Sequence, residues 1–138
     1  MSTIKVDAIQ HTGGTTGMAL ASNGIVTIQG ENTATTNLQQ GLAKCWADYS
    51  GAGTTYNDSF NTSSATDNGT GDYAIGIGND MSSTNFSVAA NCLNTSDQNT
   101  DCYVHGQTAS AITVRVRVGD SGSDADKPVY VTAHGDLA

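Results

Sequence analysis

The stretch that decides the fold is Ala111-Ile112-Thr113-Val114-Arg115-Val116-Arg117-Val118-Gly119. Ile112, Val114, Val116 and Val118 alternate without a break with Thr113, Arg115 and Arg117. A period of two sends successive side chains to opposite faces of a strand, so the segment predicts a β-strand with one face on a core and the other on solvent or a partner. The β-branched inward set suits a pleated surface and disfavours a helix. Pro128 to Gly135 repeats the pattern, with Val129, Val131 and Ala133 alternating with Tyr130, Thr132 and His134. The loop from Gly119 to Lys127 predicts a hairpin joining these two strands.

Working outward, further strands are expected at Ala43 to Tyr49, Asn57 to Thr62, Gly71 to Gly78, Asn85 to Cys92 and Asp101 to Val104, separated by clusters of Gly, Asn, Asp and Ser. Seven short strands spaced this way predict an all-β fold, an antiparallel β-sandwich over residues 42–138. Residues 1–41 have a different texture. Ile4 and Val6 lie opposite Lys5 and Asp7, a Gly13-Gly14-Thr15-Thr16-Gly17 turn follows, and an Asn23-Gly24 turn separates Met18-Ala19-Leu20 from Ile25-Val26-Thr27-Ile28. These read as short β-arches, each with two or three apolar residues per face, too few for a core within one chain. The segment is therefore expected to attach or self-associate through Ile4, Val6, Ile9, Leu20, Ile25 and Ile28. An intertwined homotrimer would bury three such thin faces along one axis. The only helix candidate is Glu31 to Ala43, where Leu38 and Leu42 sit at i and i+4 and Gly41 weakens the pattern. It is worth one or two turns, with a plain linker as the alternative.

Composition narrows the function. Thirteen acidic residues against five Lys and Arg give a formal charge of −8, which opposes any phosphate-driven hold on nucleic acid. Ser, Thr, Asn and Gly supply 59 of the 138 residues, a composition of turns and strands rather than of helix bundles. No apolar run approaches the roughly 20 residues that span a bilayer, and no apolar stretch follows Met1-Ser2-Thr3-Ile4-Lys5 to act as a signal peptide. Membrane insertion is not expected. Cys45, Cys92 and Cys102 lack metal spacing and are odd in number; they read as buried thiols, with a Cys92–Cys102 bridge as the alternative in an oxidising compartment.

The segment Ala43-Lys44-Cys45-Trp46-Ala47-Asp48-Tyr49, followed by Asp58-Ser59-Phe60-Asn61-Thr62-Ser63-Ser64-Ala65-Thr66-Asp67-Asn68-Gly69-Thr70-Gly71-Asp72-Tyr73 and by Asn85-Phe86, is distinctive in its polar as well as its apolar positions. Over residues 42–90 it resembles a small β domain found near the C-termini of tail-fibre and other virion proteins of phages, especially marine and cyanobacterial ones. Ile4-Lys5-Val6-Asp7-Ala8-Ile9-Gln10 and its Gly-Thr turns are similar to the start of such fibre proteins. The resemblance implies a virion structural protein whose partners are copies of itself and other capsid or tail proteins. A short trimeric fibre, a spike, a head fibre and a cement protein all fit that description. Only about 40 residues precede the domain, which favours a compact appendage over a long receptor-reaching fibre. Trp46, Phe60, Tyr73 and Phe86 are spaced one per strand and are expected to share one core.

Other constellations carry less chemistry. Asp67 to Asp72 reads as a turn, and as an EF-hand it would place Gly78 where a bidentate Glu is needed. Asp120, Asp124 and Asp126 read as a solvated hairpin loop. His11, His105 and His134 show no zinc spacing, no nucleophile elbow surrounds a serine, and the Gly13 to Gly17 turn lacks the Lys and helix of a phosphate loop. Loop-tip aspartates offer no cleft for a glycosidase pair. No enzyme activity and no cofactor are expected. Arg115 and Arg117 share a face, where they pair with acidic neighbours or meet acidic surface on another subunit. A second functional expectation is a receptor- or glycan-binding module, with Tyr49, Tyr56, Tyr103 and Tyr130 as stacking candidates and a single exposed aromatic patch as its signature.

Overall fold

The computed structural model describes residues 8–10, 16–22, 24–29, 35–94, 99–119 and 121–138. The chain forms two compact units, Met1–Leu42 and Ala43–Ala138. In the first, β1 (Ala8–Gln10), β2 (Thr16–Leu20), β3 (Val26–Gln29) and β4 (Thr35–Asn37) pair in sequence order as an antiparallel sheet. The expected arches are thus corrected to a meander. Consecutive strands hydrogen-bond edge to edge, and between β2 and β3 the turn is tight: Gly24, at φ 82°, donates to the Ala21 carbonyl at 2.9 Å, and Ala21 N–H donates to the Ile25 carbonyl at 2.8 Å. Among the described residues of the helical candidate, 35–43, one turn is helical, α1 (Leu38–Gly41), in keeping with a segment that has a single apolar i, i+4 pair.

The second unit contains β5 (Cys45–Tyr49), β6 (Tyr56–Phe60), β7 (Thr62–Gly69), β8 (Asp72–Ile77), β9 (Ser87–Cys92), β10 (Thr100–Thr108), β11 (Ala111–Val118) and β12 (Val129–His134). They form two antiparallel four-stranded sheets, in the orders β6-β5-β12-β9 and β10-β11-β8-β7. Inward residues of both sheets meet in one buried cluster. Cys45, Ala47, Tyr49, Val129, Val131 and Ala133 come from the first sheet, and Tyr73, Ile75, Ile77, Ile112, Val114 and Val116 from the second. The arrangement is sandwich-like, and the alternation that marks β11 in the sequence is the alternation of its burial.

Two connections differ from expectation. The run Asn57 to Thr62 is not one strand, because Asn61 adopts a left-handed φ of 54° and turns the chain from the first sheet into the second. Its side chain holds the corner: Asn61 Oδ1 accepts from the Asn79 N–H at 2.7 Å, while its Nδ2 donates to the Lys44 carbonyl at 2.8 Å. Asn is among the few side-chain-bearing residues that tolerate this conformation. Asn61→Ala is expected to cost about 2 kcal/mol through lost hydrogen bonds and backbone strain, and Asn61→Gly less, since it keeps the φ; urea denaturation checks the ranking.

The second correction concerns β11 and β12, which are not a hairpin. They belong to different sheets, and residues 119–128 cross between them. The acidic residues described in this crossover are engaged rather than simply solvated. Asp124 accepts from Arg115 Nε and Nη2 at 3.2 and 2.7 Å and from Arg117 at 3.1 Å. Asp126 accepts from Gly71 N–H at 2.7 Å and lies 3.0 Å from the Tyr73 hydroxyl. The Arg115 guanidinium, through its hydrogen bonds, holds the Asp124 carboxyl below the usual range.

One end of the core is built from tyrosines. The Tyr73 ring meets Tyr49 edge-to-face at 5.0 Å, and Tyr49 meets Tyr56 at 6.1 Å. Their hydroxyls reach backbone carbonyls, Tyr49 to Gly53 at 2.6 Å, Tyr56 to Ser64, and Tyr73 to Gly51 at 3.0 Å. Burial raises all three phenols above their ordinary value of 10.0, with Tyr56 pushed up to about 12. A phenol whose folded pKa exceeds its unfolded one contributes stability below the unfolded value and loses it as pH rises through the folded one. Stability is therefore expected to fall from pH 10 upward, with these three tyrosines ionising only as the unit unfolds. An ultraviolet titration followed alongside circular dichroism checks this; phenolate absorbance completed on a still-folded protein contradicts it.

Candidate binding surfaces

The aromatic residues expected in one core separate by strand parity. Tyr73 is fully buried, and Phe86 is half-buried against the core with its Cβ facing Gly135. Trp46 and Phe60 are corrections to that expectation. The inward positions of β5 are Cys45, Ala47 and Tyr49, so Trp46 falls on the outer face with Asp48. Phe60 is the cross-strand partner of Trp46, so it shares that face and is 53% exposed. Asp48, two residues from Trp46, is the signal that this parity faces water. Tyr49, one position away from it, is the large core residue.

The outer face of the first sheet consequently carries a cross-strand aromatic pair. Phe60, Trp46, Thr132 and Ala89 stand side by side on β6, β5, β12 and β9. The next row is Asp58, Asp48, Tyr130 and Asn91, so Tyr130, 41% exposed, lies diagonal to Trp46 and within reach of it. Asn57 Nδ2 donates to Asp48 Oδ1 at 3.0 Å, and Asp58 Oδ1 accepts from the Ser59 N–H at 2.8 Å. Asp48 and Asp58 are direct cross-strand neighbours, a like-charge pairing that costs stability. The face combines three aromatic surfaces with carboxylate and amide groups at its border. Of the tyrosines expected to stack on sugar, only Tyr130 belongs to it. Tyr49 is buried, Tyr56 is half-buried at the core edge, and Tyr103 is exposed on the other sheet.

The outer face of the second sheet is ionic. Arg115 stands between Tyr103 of β10 and Asp72 of β8, and Arg117 opposite Asp101. His105 Nε2 lies 3.3 Å from Asp72 Oδ1. Both arginines are paired within the chain through Asp124, the first of the two readings expected for them.

A third surface lies on the N-terminal sheet. The register aligns Ile9, Met18 and Ile28 in one row and Leu20 with Val26 in the next, all on one face. Ala8, Ala19, Thr27 and Asn37 form the row on the opposite face. Ile9 is 55% exposed, Leu20 50% and Ile28 38%, so the larger apolar residues sit uncovered on a single side. Ile25 is half-buried just before β3. Ile4 and Val6, expected in the same interface, lie outside the described residues.

Among the described residues no three or more His, Cys, Asp or Glu side chains gather as a metal site, and no helix is long and apolar enough to cross a membrane. No protein-family model, curated protein or solved structure matches the chain.

Proposed function

We propose that the chain is a structural protein of a phage virion, a short fibre, spike or capsid-decorating protein that assembles as a homotrimer and has no catalytic role. The observation that carries this reading is the N-terminal sheet with Ile9, Leu20 and Ile28 exposed on one face. A four-stranded sheet of such short strands gains stability by covering its apolar face, and each large aliphatic side chain buried contributes about 1.5–3 kcal/mol. Copies of the same sheet supply a matching surface, and closed threefold symmetry lets three such faces cover one another. The second unit, Ala43–Ala138, carries its own core and is the part left to project. The likeness of residues 42–90 to phage fibre and virion domains supplies the setting, with capsid or tail proteins as attachment partners and the virion as location. Light scattering on the purified chain is expected to give three times the chain mass. A stable, cooperatively folded monomer at micromolar concentration would sink the trimer.

A second reading, that the projecting unit is a glycan-binding module for a host surface, is favoured by the Phe60–Trp46 pair with Tyr130 diagonal to it and Asp48, Asp58 and Asn91 alongside. Sugar rings present C–H faces that pack on aromatic rings and hydroxyls that bond carboxylates and amides at the rim. Phe60→Ala and Tyr130→Ala truncate side chains on the outer face, outside the buried core, and should leave the fold intact. Trp46 fluorescence titrated with a panel of neutral oligosaccharides is expected to respond in the parent and lose at least tenfold in affinity in either variant. A flat response across the panel counts against this reading and leaves the trimer untouched.

A further inference from the structure

We infer that Cys92 and Cys102 are a redox-sensitive staple, two thiols placed to form a disulfide that closes one side of the second unit. β9 and β10 are the edge strands of different sheets, one at the end of β6-β5-β12-β9 and the other at the end of β10-β11-β8-β7. No backbone ladder joins them, yet their Cα atoms approach within 8 Å, closer than the usual spacing of about 10 Å between stacked sheets. Both cysteines lean inward, half-buried against the same core. Cys92 Sγ lies 3.8 Å from the carbonyl oxygen of Thr100. Thr100 and Cys102 occupy alternate positions of β10 and point to the same side, so the Cys92 sulfur already stands over the stretch of β10 that carries Cys102. Burial raises both thiols, Cys102 to about 11, and the proximity of Cys92 adds to that rise. The raised values lower the thiolate fraction and so slow the pair's attack on an oxidant.

The oxidant is a small-molecule disulfide. One cysteine thiolate attacks it, forms a mixed disulfide and expels one small thiol. The second cysteine thiolate attacks the protein sulfur of that mixed disulfide and expels the other small thiol. Two cysteine thiols lose two protons and two electrons, and the reagent is reduced to two thiols. Cys45 is the internal control: it is fully buried in the inward row of β5, opposite Ala133, and has no cysteine beside it in that row. The inference is independent of the virion reading.

The test is to treat the folded full chain with oxidised glutathione at mildly alkaline pH and analyse it without reductant. Free thiols counted after denaturation are expected to fall from three to one. Intact mass should drop by two hydrogens, and a digest should contain the Cys92 and Cys102 peptides joined. The Tm of the second unit is expected to rise by roughly 5–10 °C, since the bridge closes a short loop across two sheets. Neither Cys92→Ala nor Cys102→Ala should form an internal bridge under the same treatment, and the variant that keeps the attacking thiol is expected to stop at the mixed disulfide with glutathione. In the parent chain, three surviving thiols, a stable glutathione adduct, a cross-link between chains, or a bridge that leaves Tm unchanged each overturn the proposal.

Discussion

Tyr73→Ala is expected to destabilise the second unit by about 3–5 kcal/mol, a large part of the roughly 5–15 kcal/mol that holds a domain together. Tyr73 is fully buried and packs on Tyr49 at 5.0 Å, so truncation empties a space that the rigid inward rows of two sheets cannot refill. Its hydroxyl also organises the end of the domain, lying 3.0 Å from the Gly51 carbonyl and from Asp126, and accepting from the Lys127 N–H at 3.3 Å. The β5–β6 loop and the crossover to β12 therefore meet at one phenol. Gly51 is part of the same joint: at φ 78° it leaves no room for a Cβ, which would overlap the Lys127 carbonyl. Tyr73→Phe keeps the ring and removes the hydroxyl, and should cost only about 1–3 kcal/mol. Urea denaturation of the three proteins separates packing from hydrogen bonding. Equal losses in both variants would show that the hydroxyl junction, not the packed ring, carries the effect.

Ile9→Asp combined with Ile28→Asp is expected to convert the proposed trimer to monomers, weakening association on the order of a thousandfold or more. The two residues flank Met18 in one row of the N-terminal sheet, so each chain would bring two carboxylates to the face that the proposed trimer buries. Unpaired charges at such a contact stay hydrated only if the surfaces part. The second unit has its own core within Ala43–Ala138 and should keep its β-sheet circular dichroism and its unfolding transition. Ala8→Asp on the opposite face, beside Ala19, is the matched control and should leave the mass at three chains. Loss of association in both proteins would move the interface off the Ile9 face.

Legibility in the sequence followed the strength of alternation. β11 and β12 could be read almost to the residue, because Val and Ile on one parity and Thr, Arg or Tyr on the other leave one solution. β5 reads less easily, since Cys45, Ala47 and Tyr49 compete with the larger Trp46 for the inward parity, and size suggested the wrong one. Phe60 followed Trp46 because cross-strand partners share a face. Asp48 and Asp58 carry the correct signal for both strands, a charged residue two positions from each aromatic. Sheet membership was not readable at all. The hairpin expected between β11 and β12 and the single strand expected through Asn61 both depend on which sheet receives the chain. That choice rests on long-range contacts such as Asn61 with Asn79 and Asp126 with Tyr73. In the N-terminal unit the thin apolar faces were visible as composition, while their alignment on one side came only from the register.

The most direct measurement of the proposed role is immunogold labelling of intact, purified particles of the phage that the proposal takes as the chain's source, with quantitative mass spectrometry of the same particles. A virion structural trimer predicts label at a fixed place on the capsid or tail and a copy number that is a multiple of three. Particles that carry no label and no peptides of this chain would contradict it.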